Sequence, residues 1–399
     1  MIVLDRQVTQ TGRATRAPAG GPEGAQAIIR EARRRGRRRR LLAAGAGLLA
    51  VAGSTAGVIA TKAGGPVRAT AAAFRAAVPQ PLHGLALAGH TGLGLLVAGD
   101  PPYLLNVDSG AVTSVTGLDT KGTPVVSLLG VGRDAVVWLD RPGPVATLPR
   151  AQIYVLRHGT TRATRIATGW DVAPASGGRA IWVVSYRRAH NCALSELALN
   201  GHPLRAARPV GCSVQLPGPW SGPGPAIDPA TGRTLPVRGS LWTVDGPWAL
   251  AATAQPGAIG PGAPLTLTDT RTGRSWHLDW PSRIPFTDQS VVRPGGRLMV
   301  LDFADPAYKG TGTQVMDAWL FDPATRRFTH LPDMPAAVHL KFTSMAWASD
   351  GRLVMLAQSG GPDGDRNVVA VWKPGQAQWA LRPIPLPART GGNDAFVVW

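Results

Sequence analysis

WLFDPATRRFTHL, residues 319–331, is an apolar run, a turn centred on Asp322, and a second alternating run. Proline presets the first φ of such a turn, and an Asp side chain can hydrogen-bond its own backbone two residues on. The plan recurs as YLLNVDSGAVTSV around Asp108, AIDPATGRTL around Asp228 and LTLTDTRTGRSW around Asp269. Weaker copies sit at His158-Gly159, Asn200-Gly201 and Lys373-Pro374-Gly375. These aspartates read as turn-formers rather than as ligands or acids. A second corner, Gly-Arg followed by an apolar run, appears at Gly132-Arg133, Gly178-Arg179, Gly296-Arg297 and Gly351-Arg352. The runs between corners are short and rich in Val, Leu, Trp and Thr, and no helix-period stretch follows Leu82, which is the signature of strands and hairpins.

Successive turns of the Asp type are 50, 42, 28, 41, 53 and 51 residues apart. A period of about 40–50 residues, with roughly four strands per unit, is what a β-propeller requires. The sequence therefore predicts an all-β fold, a single propeller over residues 82–399. About seven four-stranded blades of roughly 45 residues are expected, or six if the unit around Asp228 is trimmed, as the 28-residue interval suggests. Residues 395–399, AFVVW, form one strand with no partner after it. Pairing it with the first blade would close the ring and remove two exposed edges.

Upstream of the repeats, Arg33, Arg34, Arg35, Arg37, Arg38, Arg39 and Arg40 directly precede 21 uncharged residues, 41–61. A helix of about 21 residues at roughly 1.5 Å each spans a bilayer's hydrocarbon. The arginine flank, against only Lys62, Arg68 and Arg75 beyond the other end, predicts a cytoplasmic N-terminus and a propeller outside. The expected organisation is a disordered basic tail over 1–40, a transmembrane signal anchor in membrane lipid over 41–61, a flexible linker over 62–81, and the propeller. A cleaved signal peptide, cut near Ala69-Thr70-Ala71 and releasing the propeller, is the alternative.

The formal net charge is +18, of which residues 1–78 hold +11 and the remaining 321 residues +7. An arginine cluster beside a membrane span answers to topology and anionic lipid, so nucleic acid is not the expected partner.

The repeated strand, Asp-Pro-Ala-Thr-Gly-Arg turn and strand resembles the TolB-like and WD-repeat-like propellers. The polar tail, RRRGRRRR cluster and Ala/Leu/Gly anchor resemble an arrangement common in actinobacterial envelope proteins. The resemblance implies interaction or scaffolding, with a protein or envelope component as partner.

Motifs for chemistry are sparse. The eight histidines are scattered, with no HExxH, no G-x-S-x-G elbow and no phosphate-cradling GxxxxGK[ST]. A propeller enzyme (hydrolase, lyase or oxidoreductase) could still gather one residue per blade at its channel mouth, and two coplanar exposed Trp rings would make a carbohydrate or cell-wall binding module. Asp363, Asp365 and Asn367 place oxygen ligands at alternate positions, as the start of a calcium loop does, but the sixth-place glycine is missing and Pro374 stands where the bidentate glutamate belongs. A plain hairpin loop is the competing reading, and no cofactor is expected. Cys192 and Cys212 enclose 19 residues; outside the cytoplasm they can form a disulfide contributing roughly 3 kcal/mol, the alternative being two buried thiols. Of 13 tryptophans, Trp138, Trp182, Trp319, Trp347 and Trp372 read as packing between blades. Trp220, Trp276, Trp280 and Trp379 read as surface candidates.

Overall fold

The computed structural model describes residues 80–99, 101–121, 125–140, 151–188, 191–217, 225–235, 237, 239–252, 265–282, 287–293, 298–305, 313–339, 344–359, 366–384 and 396–399. Among these there is no helix. The arginine cluster and residues 41–61 lie outside them, and no helix of the described residues is long and apolar enough to cross a membrane.

Six antiparallel sheets form the six blades of a β-propeller. Blade 1 comprises Phe396–Val398, Gly94–Val97, Tyr103–Asn106 and Val112–Ser114. Blade 2 comprises Val125–Val131, Asp134–Asp140, Ala151–Leu156 and Ala163–Gly169. Blade 3 comprises Asp171–Pro174, Ala180–Arg188, Asn191–Ala198 and Arg208–Gly211. Blade 4 comprises Ser240–Asp245, Trp248–Ala252, Leu265–Asp269 and Ser275–Leu278. Blade 5 comprises Thr287–Val292, Met299–Asp305 and Thr313–Asp322, the last pairing with both Arg327–His330 and Ala336–His339. Blade 6 comprises Ser344–Trp347, Leu353–Ser359, Arg366–Trp372 and Trp379–Pro383. The first strand of each blade is innermost, and five of the six neighbouring inner pairs lie side by side around the ring.

The expected count of about seven blades is corrected to six. Seven turns of the Asp type exist, but the one at Asp228 belongs to no blade. Residues 214–217 and 225–235 instead wedge between blades 3 and 4, with only isolated bridges among the described residues, Gln215 to Ala226 and Ile227 to Thr234. Val214, Leu216 and Ile227 pack into the core of blade 3, while Ala226 and Leu235 pack with Leu241 and Ala249 of blade 4. The buried Gln215 fastens the wedge, its Oε1 accepting from Leu241 N at 2.9 Å and its Nε2 donating to Gly239 O at 3.3 Å. Trp182 Nε1 of blade 3 donates to Pro229 O at 3.0 Å. The other five interfaces each have one shared apolar layer, as where Trp347, Trp372 and Trp379 of blade 6 meet Val300, Met316 and Ala318 of blade 5.

The ring closes as the orphan strand predicts. Val397 pairs with Leu96, and Trp399 N donates to Gly94 O at 2.7 Å. On the outer edges of blades 5 and 6 two short strands add in parallel: Gln80–Pro81 against Ala336–Ala337, and Gly84–Ala86 against Trp379–Leu381. Cys192 and Cys212 are bonded, stapling blade 3's third strand to the residue after its fourth.

Both families of turn lie on one face. In blade 2, Asp134 accepts from Arg157 Nη1 at 2.6 Å and His158 N at 2.9 Å, joining the Gly-Arg corner to the Asp-type turn. In blade 4, Thr270 N donates to Pro247 O at 2.7 Å. Neighbouring blades meet there too. A Cβ on Gly132 would lie 2.4 Å from Gly178 O, so glycine at this corner is what lets blades 2 and 3 approach. Arg352 Nη2 carries the contact from blade 6 to Thr91 O, ahead of blade 1, at 2.9 Å.

Asp108 sits where this face closes. The turn-forming side chain of blade 1 is Asn106, whose Oδ1 accepts from Asp108 N at 2.9 Å, as Asp228, Asp269 and Asp322 accept in their turns. Asp108, two residues later, instead accepts from Thr91 N, Thr91 Oγ1 and Gly92 N at 2.7–2.8 Å and pairs with Arg382 of blade 6. Arg382 also donates to Leu87 O and Gly89 O, each at 2.7 Å. Burial alone would raise the Asp108 pKa, but the hydrogen bonds from Thr91, Gly92 and Arg382 outweigh it and hold the carboxyl well below the usual range. That stabilisation is complete above about pH 4 and is lost as the pH falls through the depressed folded value. Asp108→Ala leaves several donors and a half-buried guanidinium without their acceptor, and should cost about 2–4 kcal/mol by urea unfolding at pH 7. At pH 2 the difference between variant and wild type should shrink.

Candidate functional site

The best-built exposed constellation is an aromatic and cationic seam between blades 4 and 5. It starts in the core, where Trp242, Phe303 and Phe321 are buried among Leu250, Leu267 and Leu301. Trp280 packs edge-on to Phe303 at 5.0 Å and to Trp242 at 5.8 Å. Toward solvent the layer continues through the half-buried Trp248, Trp276, Trp319 and Phe328. Trp276 and Trp248 lie 5.9 Å apart at 52°. Strand alternation puts them here: Leu265 and Leu267 face the core, and Trp276 pairs across from Leu267.

Two arginines cover the Trp276 ring. Arg274 Cζ, from the same turn, lies 5.0 Å from its centroid, and Arg326 Cζ, from the Asp322 turn of blade 5, lies 5.2 Å away. A guanidinium over an indole face contributes about 0.5–1 kcal/mol at exposed sites. Arg326 is reached only through an unfavourable backbone: its φ is 60°, the left-handed region, which costs a residue with a Cβ roughly 1 kcal/mol or more.

Beneath the seam lies a polar knot. Asp317, almost fully buried, accepts from Ser282 Oγ at 2.6 Å and Trp319 Nε1 at 2.8 Å, and its Oδ1 lies 2.5 Å from His330 Nε2. His330 stacks on Trp319 at 4.3 Å. Ser, Asp and His therefore meet, but not in the order of a Ser-His-Asp triad: the serine hydroxyl donates to the carboxylate rather than to imidazole. The knot positions Trp319 and closes the inner side of the seam.

The sequence-derived candidates separate in the structure. Asp228, Asp269 and Asp322 are turn-formers, as read. Burial would raise the Asp269 pKa, but hydrogen bonds from Arg271 and Thr272 and the Arg271 charge lower it. Asn367 lies in a strand, paired with Gln358, while Asp363 and Asp365 fall outside the described residues. Among the described residues no group of three or more His, Cys, Asp or Glu could hold a metal. Trp379, expected at the surface, is fully buried, its Nε1 donating to Pro332 O at 2.9 Å; Trp276 and Trp280 are half-buried, and Trp220 is outside the described residues. The coplanar exposed Trp pair needed for stacking on sugars is not found at Trp248 and Trp276, which are tilted and partly covered. Sequence reading missed the seam because its two arginines lie 52 residues apart, in separate turns.

No family model and no curated protein matches the sequence. Solved structures similar in fold include the β-propeller domain of the Trilobed protease from Pyrococcus furiosus, at 10% identity over 63% of this chain and 71% of that one, with a TM-score of 0.33. Others are Pyrococcus horikoshii acylaminoacyl peptidase (12% identity, 77% of this chain, 52% of that one, TM-score 0.45) and the Niastella koreensis GH74 enzyme (11%, 77%, 46%, 0.40). The chain spans about half the length of the latter two. At such identities the likeness is one of fold alone.

One buried acid beside the seam has a measurable consequence. Asp245 ends the inner strand of blade 4 and pairs with Trp248. Its Oδ2 is buried, and burial pushes the carboxyl up to about 6. A raised folded value means that the group favours the folded chain below about pH 4 and that this contribution is lost as pH rises through about 6. Asp245→Asn should therefore gain stability relative to wild type on going from pH 4 to pH 7, read as the shift in urea midpoint at the two pH values.

Proposed function

We propose that this chain is a binding module: a propeller tethered outside the membrane by residues 41–61 that docks a protein or envelope component on its turn-bearing face. The supporting observation is that face itself. Its turns are fixed by their own Asp, Asn and Thr side chains and cross-linked from blade to blade, so their exposed groups are ordered before a partner arrives. Preorganisation of this kind lowers the ordering cost of association. The Trp276 seam opens beside it, and Trp and Arg are the residues that most often carry interface energy.

The enzyme reading has no comparable support, since the one Ser, Asp and His constellation among the described residues is arranged as a structural knot. The scaffold reading is tested by crosslinking in living cells and capture of the tagged full-length chain. A saturable protein partner, lost when the propeller is deleted and residues 1–79 are kept, is the expected result. Failure to enrich any protein over the anchor-only control would reject docking of a protein.

A further inference from the structure

We infer that Arg274 and Arg326, stacked on Trp276, are an anion-recognition pair that takes the carboxylates of an acidic protein segment. This rests on the binding-module reading above and names its chemistry. The first observation is the replacement of glycine by Arg326. Three turns share its backbone plan, with an Asn or Asp side chain capping the turn and, four residues later, a residue of positive φ: Asn106 and Gly110 (71°), Asp228 and Gly232 (70°), Asp269 and Gly273 (71°). In the fourth, Asp322 is followed by Arg326 at 60°. Glycine adopts this conformation without strain, so an arginine there stands against the local backbone preference. From this position its side chain reaches across the blade boundary to Trp276.

The second observation is what the two guanidiniums do. Both lie over the Trp276 ring, at 5.0 and 5.2 Å, and among the described residues neither is in an ion pair or donates a side-chain hydrogen bond. The capping acids of the two turns are already engaged: Asp269 by Arg271, and Asp322 by Ala324 N and Thr325 Oγ1. Each of these guanidiniums lies against one ring with its donor fork free, and each can take a carboxylate bidentately. The half-buried indoles of Trp248 and Trp276 beside them favour a protein side chain over a hydrated small anion, because Trp and Arg with an apolar floor make up protein-binding hot spots.

The test uses the full-length chain in detergent and an acetylated hexaglutamate peptide, by isothermal titration. Wild type should bind, Arg274→Gln and Arg326→Gly should each weaken binding about tenfold or more, and Arg326→Lys should fall between. Arg326→Gly should melt at or above the wild-type temperature, since it relieves the backbone. A melting temperature lowered by several degrees would make Arg326 a structural residue and overturn the inference. So would absence of peptide binding, or binding within twofold of wild type in both Arg274→Gln and Arg326→Gly. Inorganic phosphate displacing the peptide at equal concentration would assign the pair to free anions, and arginine-dependent binding to phosphatidylglycerol vesicles with none to the peptide would assign it to lipid; either overturns the proposal. If a crosslinked partner persists with the Arg274→Gln/Arg326→Gly chain, the pair is not its contact while the binding-module reading stands. If no partner is captured with either chain, it is that broader reading that fails.

Discussion

The ring exists because its last strand hydrogen-bonds to its first complete hairpin. Phe396–Val398 is only three residues long, and a ladder that short is a weak clasp by itself. It is backed by apolar packing on both sides, Phe396 facing the core shared with blade 6 and Val397 the core shared with blade 2. On the turn face it is backed by the Asp108 and Arg382 pair, which ties blade 1 to blade 6 and gathers the backbone carbonyls of residues 87 and 89. Strand, core and ion pair act at different depths of one boundary, so closure does not rely on any of them alone. Closure is what gives blades 1 and 6 a neighbour on both faces, through the layer they share.

Where the ring departs from regularity, the departures have local causes. Blades 3 and 4 are joined through residues 214–217 and 225–235, where the buried Gln215 bonds the backbone of Gly239 and Leu241 at the edge of blade 4. The seam between blades 4 and 5 has the opposite character: direct contact, eight aromatic side chains in one layer, and a buried carboxylate satisfied by Ser282, Trp319 and His330. The polar irregularity in the first case builds the frame. In the second it holds large side chains half-open to solvent.

Much of the fold was legible in the sequence because its signals are local. Turn chemistry at Asp228, Asp269 and Asp322, the glycine corners at Gly132, Gly178 and Gly351, and the closing strand Phe396–Val398 each depend on a few adjacent residues and are present as read, while Gly296-Arg297 lies outside the described residues. The blade count was misread because a turn motif does not require a sheet around it: Asp228 makes the same turn inside a wedge. Asp108 was misassigned for a related reason, as Asn106 satisfies the turn equally well and frees the aspartate for a contact 274 residues away. Sites of that kind, and the pairing of Arg274 with Arg326 on one ring, arise from contacts between blades and leave no local spacing in the sequence.

The two parallel strands on the outer rim give the molecule a mechanical asymmetry. The chain enters at residue 80 along the edge of blade 5, crosses to the edge of blade 6, and only then reaches the Asp108 knot and blade 1. A pull delivered through residue 80 is thus borne first by ladders of two and three residue pairs. Next it meets the carbonyls that Arg382 holds, and last the ring itself. Tension on the tail would be spent along the rim in graded steps, as in a strap sewn down at several points, before it could open the circle.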